Sequence, residues 1–245
     1  MSELGAGSAA PLRSTPAGPP SARRGSDRPG RELRAAGALH NGGMVEQSVW
    51  MQKVAADPGH SAWYIGRMRG LAEAGEDLAG EARLIDAMAP RGSRILDAGC
   101  GPGRVAGALA AAGHDVVGVD VDPELIKAAQ EDHPGPRWFV DDLAELDLAA
   151  RGISEPFDVI VCAGNVMTFL ASSTRRTVLQ RFREHLALRG RVAVGFGTGR
   201  GYEPDEFFAD VEAAGLTRDL TLATWDLRPH RADSDFLVAI LSPAE

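Results

Sequence analysis

The sequence is poor in cysteine, in aromatic residues and in long apolar runs. Cys100 and Cys162 are its two cysteines in 245 residues, too few for a disulfide framework. Each follows an apolar strand-like stretch, so both are read as small buried residues in a reducing compartment rather than a redox pair. No apolar run approaches the ~18 residues of a membrane span. Arg23 and Arg24 are followed by Gly, Ser, Asp, Arg and Pro, not by the apolar region a twin-arginine signal requires. These absences predict a cytoplasmic protein with no membrane partner. His40, His60, His114, His133 and His185 are scattered without metal-ligand spacing, and no metal is expected. Charge is unevenly spread: the total is −8, while residues 1–43 hold six arginines against Glu3, Asp27 and Glu32. The remainder is strongly acidic and a poor match for a phosphate backbone, so nucleic acid is not an expected partner.

Residues 1–43 are rich in Gly, Ala, Pro, Ser and Arg without apolar periodicity. Such a segment buries too little surface to offset its ordering entropy and is expected to be a disordered tail. Met44 opens the first helical pattern, so the tail is either a natural appendage or the product of an upstream start misassignment. From there to residue 245 the sequence predicts one domain, beginning with a helical cap over 45–90. The chain then alternates strands and helices, the pattern of a doubly wound parallel sheet.

Its central stretch is Ile95-Leu-Asp-Ala-Gly-Cys-Gly-Pro-Gly-Arg104, a buried strand, a glycine-rich turn and the start of an alanine-rich helix. The unpaired amides of that helix start attract polar ligands, and Gly101 to Ala106 satisfies the dinucleotide fingerprint GxGxxG/A. Two acids argue against a dinucleotide. Asp97, two residues before Gly99, would repel a pyrophosphate but suits a ligand carrying an ammonium and a sulfonium. Asp120 ends a second strand, Val116-Val-Gly-Val-Asp120, where a carboxylate accepts from ribose hydroxyls.

Further strands are expected at Arg137–Val140, Phe157–Ala163 and Arg191–Phe196, and helices over 174–188 and Pro204–Ala214. Leu220–Leu227 and Asp235–Leu241 are β-rich runs with no helix between them. Strands joined so closely must be antiparallel. The expected fold is therefore α/β and Rossmann-like: a doubly wound, mostly parallel seven-stranded sheet with a C-terminal antiparallel hairpin and an N-terminal helical cap.

With its D-x-G-x-G-x-G motif at Asp97, Gly99, Gly101 and Gly103, the chain resembles the class I S-adenosylmethionine-dependent methyltransferases over residues ~45–242. The resemblance implies that S-adenosylmethionine is the cofactor, S-adenosylhomocysteine the product and a small molecule the methyl acceptor. It implies that Gly99, Cys100, Gly101 and Gly103 flank the methionine and ribose, that Asp120 takes the ribose hydroxyls, and that Val121 next to it is a further cofactor-binding candidate. Asp142 and Leu143 match the adenine-reading positions, although Asp141 stands where relatives often have glycine, leaving open which acid faces the base. Ala163 matches the position whose carbonyl accepts from the methionine ammonium, and Gly164 beside it is a further cofactor-binding candidate. Cap residues Trp63, Tyr64 and Arg67 are further candidates. Asn165, Tyr202 and His230 are weak candidates for positioning the nucleophile, and no general base is identifiable. The segment from Gly195 to Gly201 is read either as an anion cradle or as a mobile loop. A non-catalytic binder of the same cofactor and a nicotinamide oxidoreductase are the competing functions.

Overall fold

The computed structural model describes residues 45–244; the tail expected over 1–43 lies outside the described residues. Three cap helices come first: α1 (Val49–Ala56), α2 (His60–Glu73) and α3 (Gly80–Met88). Ser48 caps α1, its hydroxyl accepting from the Met51 amide at 3.2 Å, and the Asp57-Pro58-Gly59 turn separates α1 from α2. The alternating part follows as β1 (Arg94–Ala98), α4 (Arg104–Ala111), β2 (Asp115–Asp120), α5 (Pro123–Asp132), β3 (Arg137–Val140), β4 (Phe157–Cys162), α6 (Val166–Phe169), α7 (Arg175–His185), β5 (Leu186–Gly197), α8 (Pro204–Ala213), β6 (Leu216–Leu222) and β7 (Phe236–Pro243).

The seven strands form one sheet in the order β3-β2-β1-β4-β5-β7-β6. β1 to β5 are mutually parallel, and β7 is antiparallel to both β5 and β6. The seven-stranded sheet and its antiparallel end are thus as the sequence implied. Strand order reverses between β1 and β4, which opens a crevice at their carboxyl ends.

Alternation along the strands feeds two cores. Leu96, Ala98, Val117, Val119 and Ile160 meet Val178, Leu179 and Phe182 of α7 and Phe207 of α8 on one face. Ile95, Val116, Val159 and Val161 meet Leu84 and Ile85 of α3 and Val105 and Leu109 of α4 on the other. By the two-residue period Asp97 shares the face of Ile95, so it points at the start of α4.

Two boundaries differ from expectation, each for a local reason. The helix expected over 174–188 stops at His185, because Leu186 is drawn into the core and begins β5 five residues early, paired with Phe157. The strand expected to start at Leu220 begins at Leu216, just after Gly215 at φ +75°, and ends at Leu222. Thr217, Arg218 and Asp219 disguise its first half, since β6 is the sheet edge and its exposed face is polar.

Candidate active site

The crevice is a cavity of about 820 Å³, floored by the β1–α4 turn and the ends of β2 and β4 and roofed by α1 and α2. The floor is tied to β2: the amides of Gly99 and Cys100 both donate to the Val119 carbonyl, at 2.8 and 3.0 Å. Gly101 donates to Asp120 Oδ2 at 2.9 Å and Asp122 to Asp120 Oδ1 at 3.0 Å. Each oxygen of Asp120 accepts one backbone amide and keeps acceptor capacity for a ligand.

The three motif glycines do different work. A Cβ on Gly99 would lie 2.4 Å from Val166, whereas one on Gly101 would point into the cavity, 3.7 Å from the Tyr64 ring. Gly103 is not on the wall: a Cβ there would meet Trp138 at 2.6 Å and Ala129 at 3.0 Å. It lets α4 pack against α5 and β3, so its expected ligand contact is corrected to a packing role.

Asp97 is buried and accepts the Ala106 amide at 3.0 Å. Burial pushes its carboxyl up to about 7, against a smaller downward pull from the Arg104 guanidinium. Burial likewise lifts Asp120 to about 6, countered by its amide donors. Two carboxyls held this high favour a cation beside them, because an opposite charge restores the ionised form. Arg104 itself pairs in bidentate fashion with Glu81 of α3 and donates to the Leu78 carbonyl. Burial also raises the Cys100 thiol well above its ordinary range, so its place on the wall is that of a neutral apolar group.

Of the sequence candidates, Tyr64, Arg67, Asp97, Gly99, Cys100, Gly101, Asp120, Val121, Asp142, Leu143, Ala163, Gly164 and Asn165 all line this cavity, as does Trp63. Asp142 faces it and spends Oδ1 on the Ala144 amide at 2.8 Å. Asp141 turns away to Arg151 at 3.2 Å. Asn165, at φ +67°, closes β4 and accepts the Gly197 amide at 2.7 Å, a tie between β4 and β5 rather than a proton acceptor. Tyr202 and His230 are not brought to the cavity. Tyr202 is packed beside Phe196 and Phe207, its hydroxyl donating to Asp210 at 2.9 Å. Burial and that bond hold the phenol far above its ordinary range. His230 sits on the β6–β7 connection, at the correct end of the sheet but several strand spacings of ~4.8 Å from β4.

Sequence reasoning gave the cap but missed what fastens it. Trp50 of α1 donates its indole N–H to Asp122 Oδ2 at 2.9 Å, and the Ser61 hydroxyl of α2 donates to the same oxygen at 2.5 Å. Asp122 Oδ1 meanwhile caps α5 through the Glu124 amide. One carboxylate, two residues from Asp120, therefore fastens α1 and α2 above the floor. Trp50 also packs edge-on to Tyr64 and Phe169, at 5.4 and 5.8 Å between centroids. The signal available was Asp122-Pro123, legible as a helix cap but silent about distant partners.

A family profile described as a methyltransferase domain matches residues 95–190. Among solved structures, a TehB-like SAM-dependent methyltransferase from Corynebacterium glutamicum ATCC 13032 is 48% identical, with a TM-score of 0.72, over 76% of this chain and 100% of that one. The putative methyltransferase YqeM of Bacillus subtilis (strain 168) is 27% identical over 143 residues, 57% of this chain. A malonyl-[acyl-carrier protein] O-methyltransferase of Pectobacterium atrosepticum is 29% identical over 105 residues, 43% of this chain. The chain spans 56% and 39% of the lengths of these two curated relatives. A 1,6-didemethyltoxoflavin-N1-methyltransferase of Burkholderia thailandensis shares the fold at 20% identity and a TM-score of 0.58, over 83% of this chain and 93% of that one.

Proposed function

Since the chain belongs to the S-adenosylmethionine-dependent methyltransferases, we propose that it moves the methyl group of that cofactor to a small-molecule acceptor inside the described cavity. The observation that carries the reading is the pair of buried carboxyls, Asp97 and Asp120, held high at the glycine turn. The residues fit a cationic nucleoside. Asp120 has acceptor capacity left for two ribose hydroxyls, and Asp142 Oδ2 is uncommitted beside the Leu143 backbone. The carbonyl of Ala163 and the carboxylate of Asp97 suit an ammonium, and Gly101 leaves the space a side chain would fill. Tyr64 and Arg67 complete the wall on the side of α2.

When bound, S-adenosylmethionine supplies a sulfonium methyl that is already electrophilic. The chain's share of the work is then to align the acceptor and exclude water. Asn165 fixes the spacing of the β4 and β5 ends, and the Trp50–Asp122–Ser61 junction holds the roof down. A small acceptor agrees with the acidic balance of the chain and with a pocket enclosed between cap and sheet.

Calorimetry against S-adenosylhomocysteine, S-adenosylmethionine and NAD tests the cofactor assignment. Binding of the first two and not of NAD is expected. Asp120→Ala should weaken both by about 1.5–3 kcal/mol, the usual loss of hydrogen bonds to a charged group. A turnover screen over metabolite pools, following release of S-adenosylhomocysteine, then tests for the reaction. Preference for NAD would sink the reading.

A further inference from the structure

The charges on the cavity wall are sorted. Each of its five acids has a partner: Asp77 pairs with Arg83 at 2.6 Å, Glu81 with Arg104, and Asp97, Asp120 and Asp142 accept backbone amides while keeping capacity for the cofactor. Of its four arginine and lysine side chains, Arg104 is paired. Lys53, Arg67 and Arg200 make no ion pair and no side-chain hydrogen bond among the described residues, although all three line the cavity. Arg67 stands one turn from Tyr64, whose ring covers Gly101, and so lies on the cofactor side. Lys53 and Arg200 remain.

Arg200 belongs to the glycine-rich segment that the sequence left between an anion cradle and a mobile loop. A Cβ on Gly197 would lie 2.7 Å from Arg200 Nε and 3.4 Å from Asn165 Oδ1. Gly197 is not in the left-handed region, so the missing side chain serves space rather than backbone freedom. It leaves room for the Arg200 side chain over the end of β5, where Asn165 accepts the Gly197 amide. Lys53 is one helical turn beyond Trp50 on α1, which places it on the same side of that helix. The same wall carries Trp50, set edge-on to Phe169.

We propose that the acceptor is a planar organic anion, an aromatic carboxylate, whose charge is held by Arg200 and Lys53 and whose ring lies against Trp50 and Phe169. The inference rests on the methyltransferase reading and assigns the class of its substrate. A fork of guanidinium donors matches a carboxylate, and a flat ring finds edge and face partners in the two aromatics.

Trp50 and Trp63 line the cavity, so tryptophan fluorescence reports occupancy without turnover. Protein saturated with S-adenosylhomocysteine is titrated with 4-hydroxybenzoate, with its uncharged amide and with inorganic phosphate. The carboxylate should bind roughly tenfold or more tightly than the amide. Arg200→Gln should reduce that preference, with Lys53 still in place, while leaving affinity for S-adenosylhomocysteine and for the amide unchanged. Gly197→Ala keeps the charge but displaces the guanidinium and should lower carboxylate affinity in the same direction. Equal binding of acid and amide, binding of phosphate alone, or full carboxylate affinity in Arg200→Gln would each overturn the proposal. Failure of S-adenosylhomocysteine itself to bind would instead strike the reading beneath it.

Discussion

Replacing Asp97 by Asn should make the ligand-free protein more stable and useless to its cofactor. The carboxyl is 2% exposed and has one amide donor, Ala106, which an asparagine oxygen can equally satisfy. Burial lifts its pKa from the ordinary 3.8 to about 7. For an acid raised in this way the folded state holds the proton more tightly than the unfolded chain. Stability is therefore fullest below pH ~4 and is lost as pH rises through about 7. Each tenfold change in proton affinity is about 1.4 kcal/mol, so ionising Asp97 in the empty cavity costs at most roughly 4 kcal/mol. The neutral amide escapes that cost. At pH 8 Asp97→Asn should melt several degrees above wild type, since about 1 kcal/mol moves a domain of this size by ~2–4 °C, and the gap should close by pH 4. Saturating S-adenosylhomocysteine should narrow that gap. Wild type gains about 2.7 kcal/mol at a hundredfold excess over Kd, while the mutant has lost the counter-charge to the ligand's ammonium. Thermal scans at pH 4, 6 and 8, with and without that ligand, decide it. A mutant less stable than wild type at pH 8 would refute the electrostatic account, and an undiminished ligand shift would refute the placement of the ammonium.

The same acids predict that affinity for S-adenosylmethionine falls as pH drops from 8 to 5, because Asp97 at about 7 and Asp120 at about 6 must shed protons to receive a cation; isothermal titrations across that range should show proton release on binding. Gly101→Val carries two separable penalties: at φ +55° a branched side chain is strained by about 1–3 kcal/mol, seen without ligand, and its methyls block the floor, so stabilisation by S-adenosylhomocysteine should vanish. Retained ligand stabilisation would mean that the cofactor lies elsewhere. Asp122→Ala removes a helix cap worth about 1 kcal/mol together with the partners of Trp50 and Ser61; its tryptophan emission should shift to the red and cofactor release should quicken, whereas an unchanged spectrum would mean that the roof is held by packing alone.

How much of this was legible beforehand follows from what each residue had to announce. β1, β2 and β4 are short apolar runs ending in polar punctuation, so the sheet and the floor of the cavity could be read directly. Edge strand β6 could not, since half of it faces solvent and carries Thr217, Arg218 and Asp219. The acids at 141 and 142 differ in the partners they find, Arg151 for the first and the Ala144 amide for the second. Gly101 and Gly103 look alike in the motif, yet one meets open space and the other an indole ring. Tyr202 and His230 were plausible because they follow strands. Whether a side chain after a strand turns inward depends on the next helix, and α8 draws Tyr202 into the core beside Phe207. Contacts between distant segments, such as Trp50 with Asp122 across 72 positions, leave no local trace.

The order of the sheet bears on how the protein is made. β7 leaves the ribosome after β6 yet lies between β6 and β5. Until residues 236–243 have emerged, β5 presents a bare row of amides and carbonyls over 192–197, and β6 has no neighbour to pair with. An apolar β5 edge left open during synthesis is a template for pairing with other chains. A pause in translation before Phe236 would therefore prolong the nascent chain's exposure to aggregation and its need for a chaperone. A silent codon change there should alter soluble yield without altering a single contact in the finished fold.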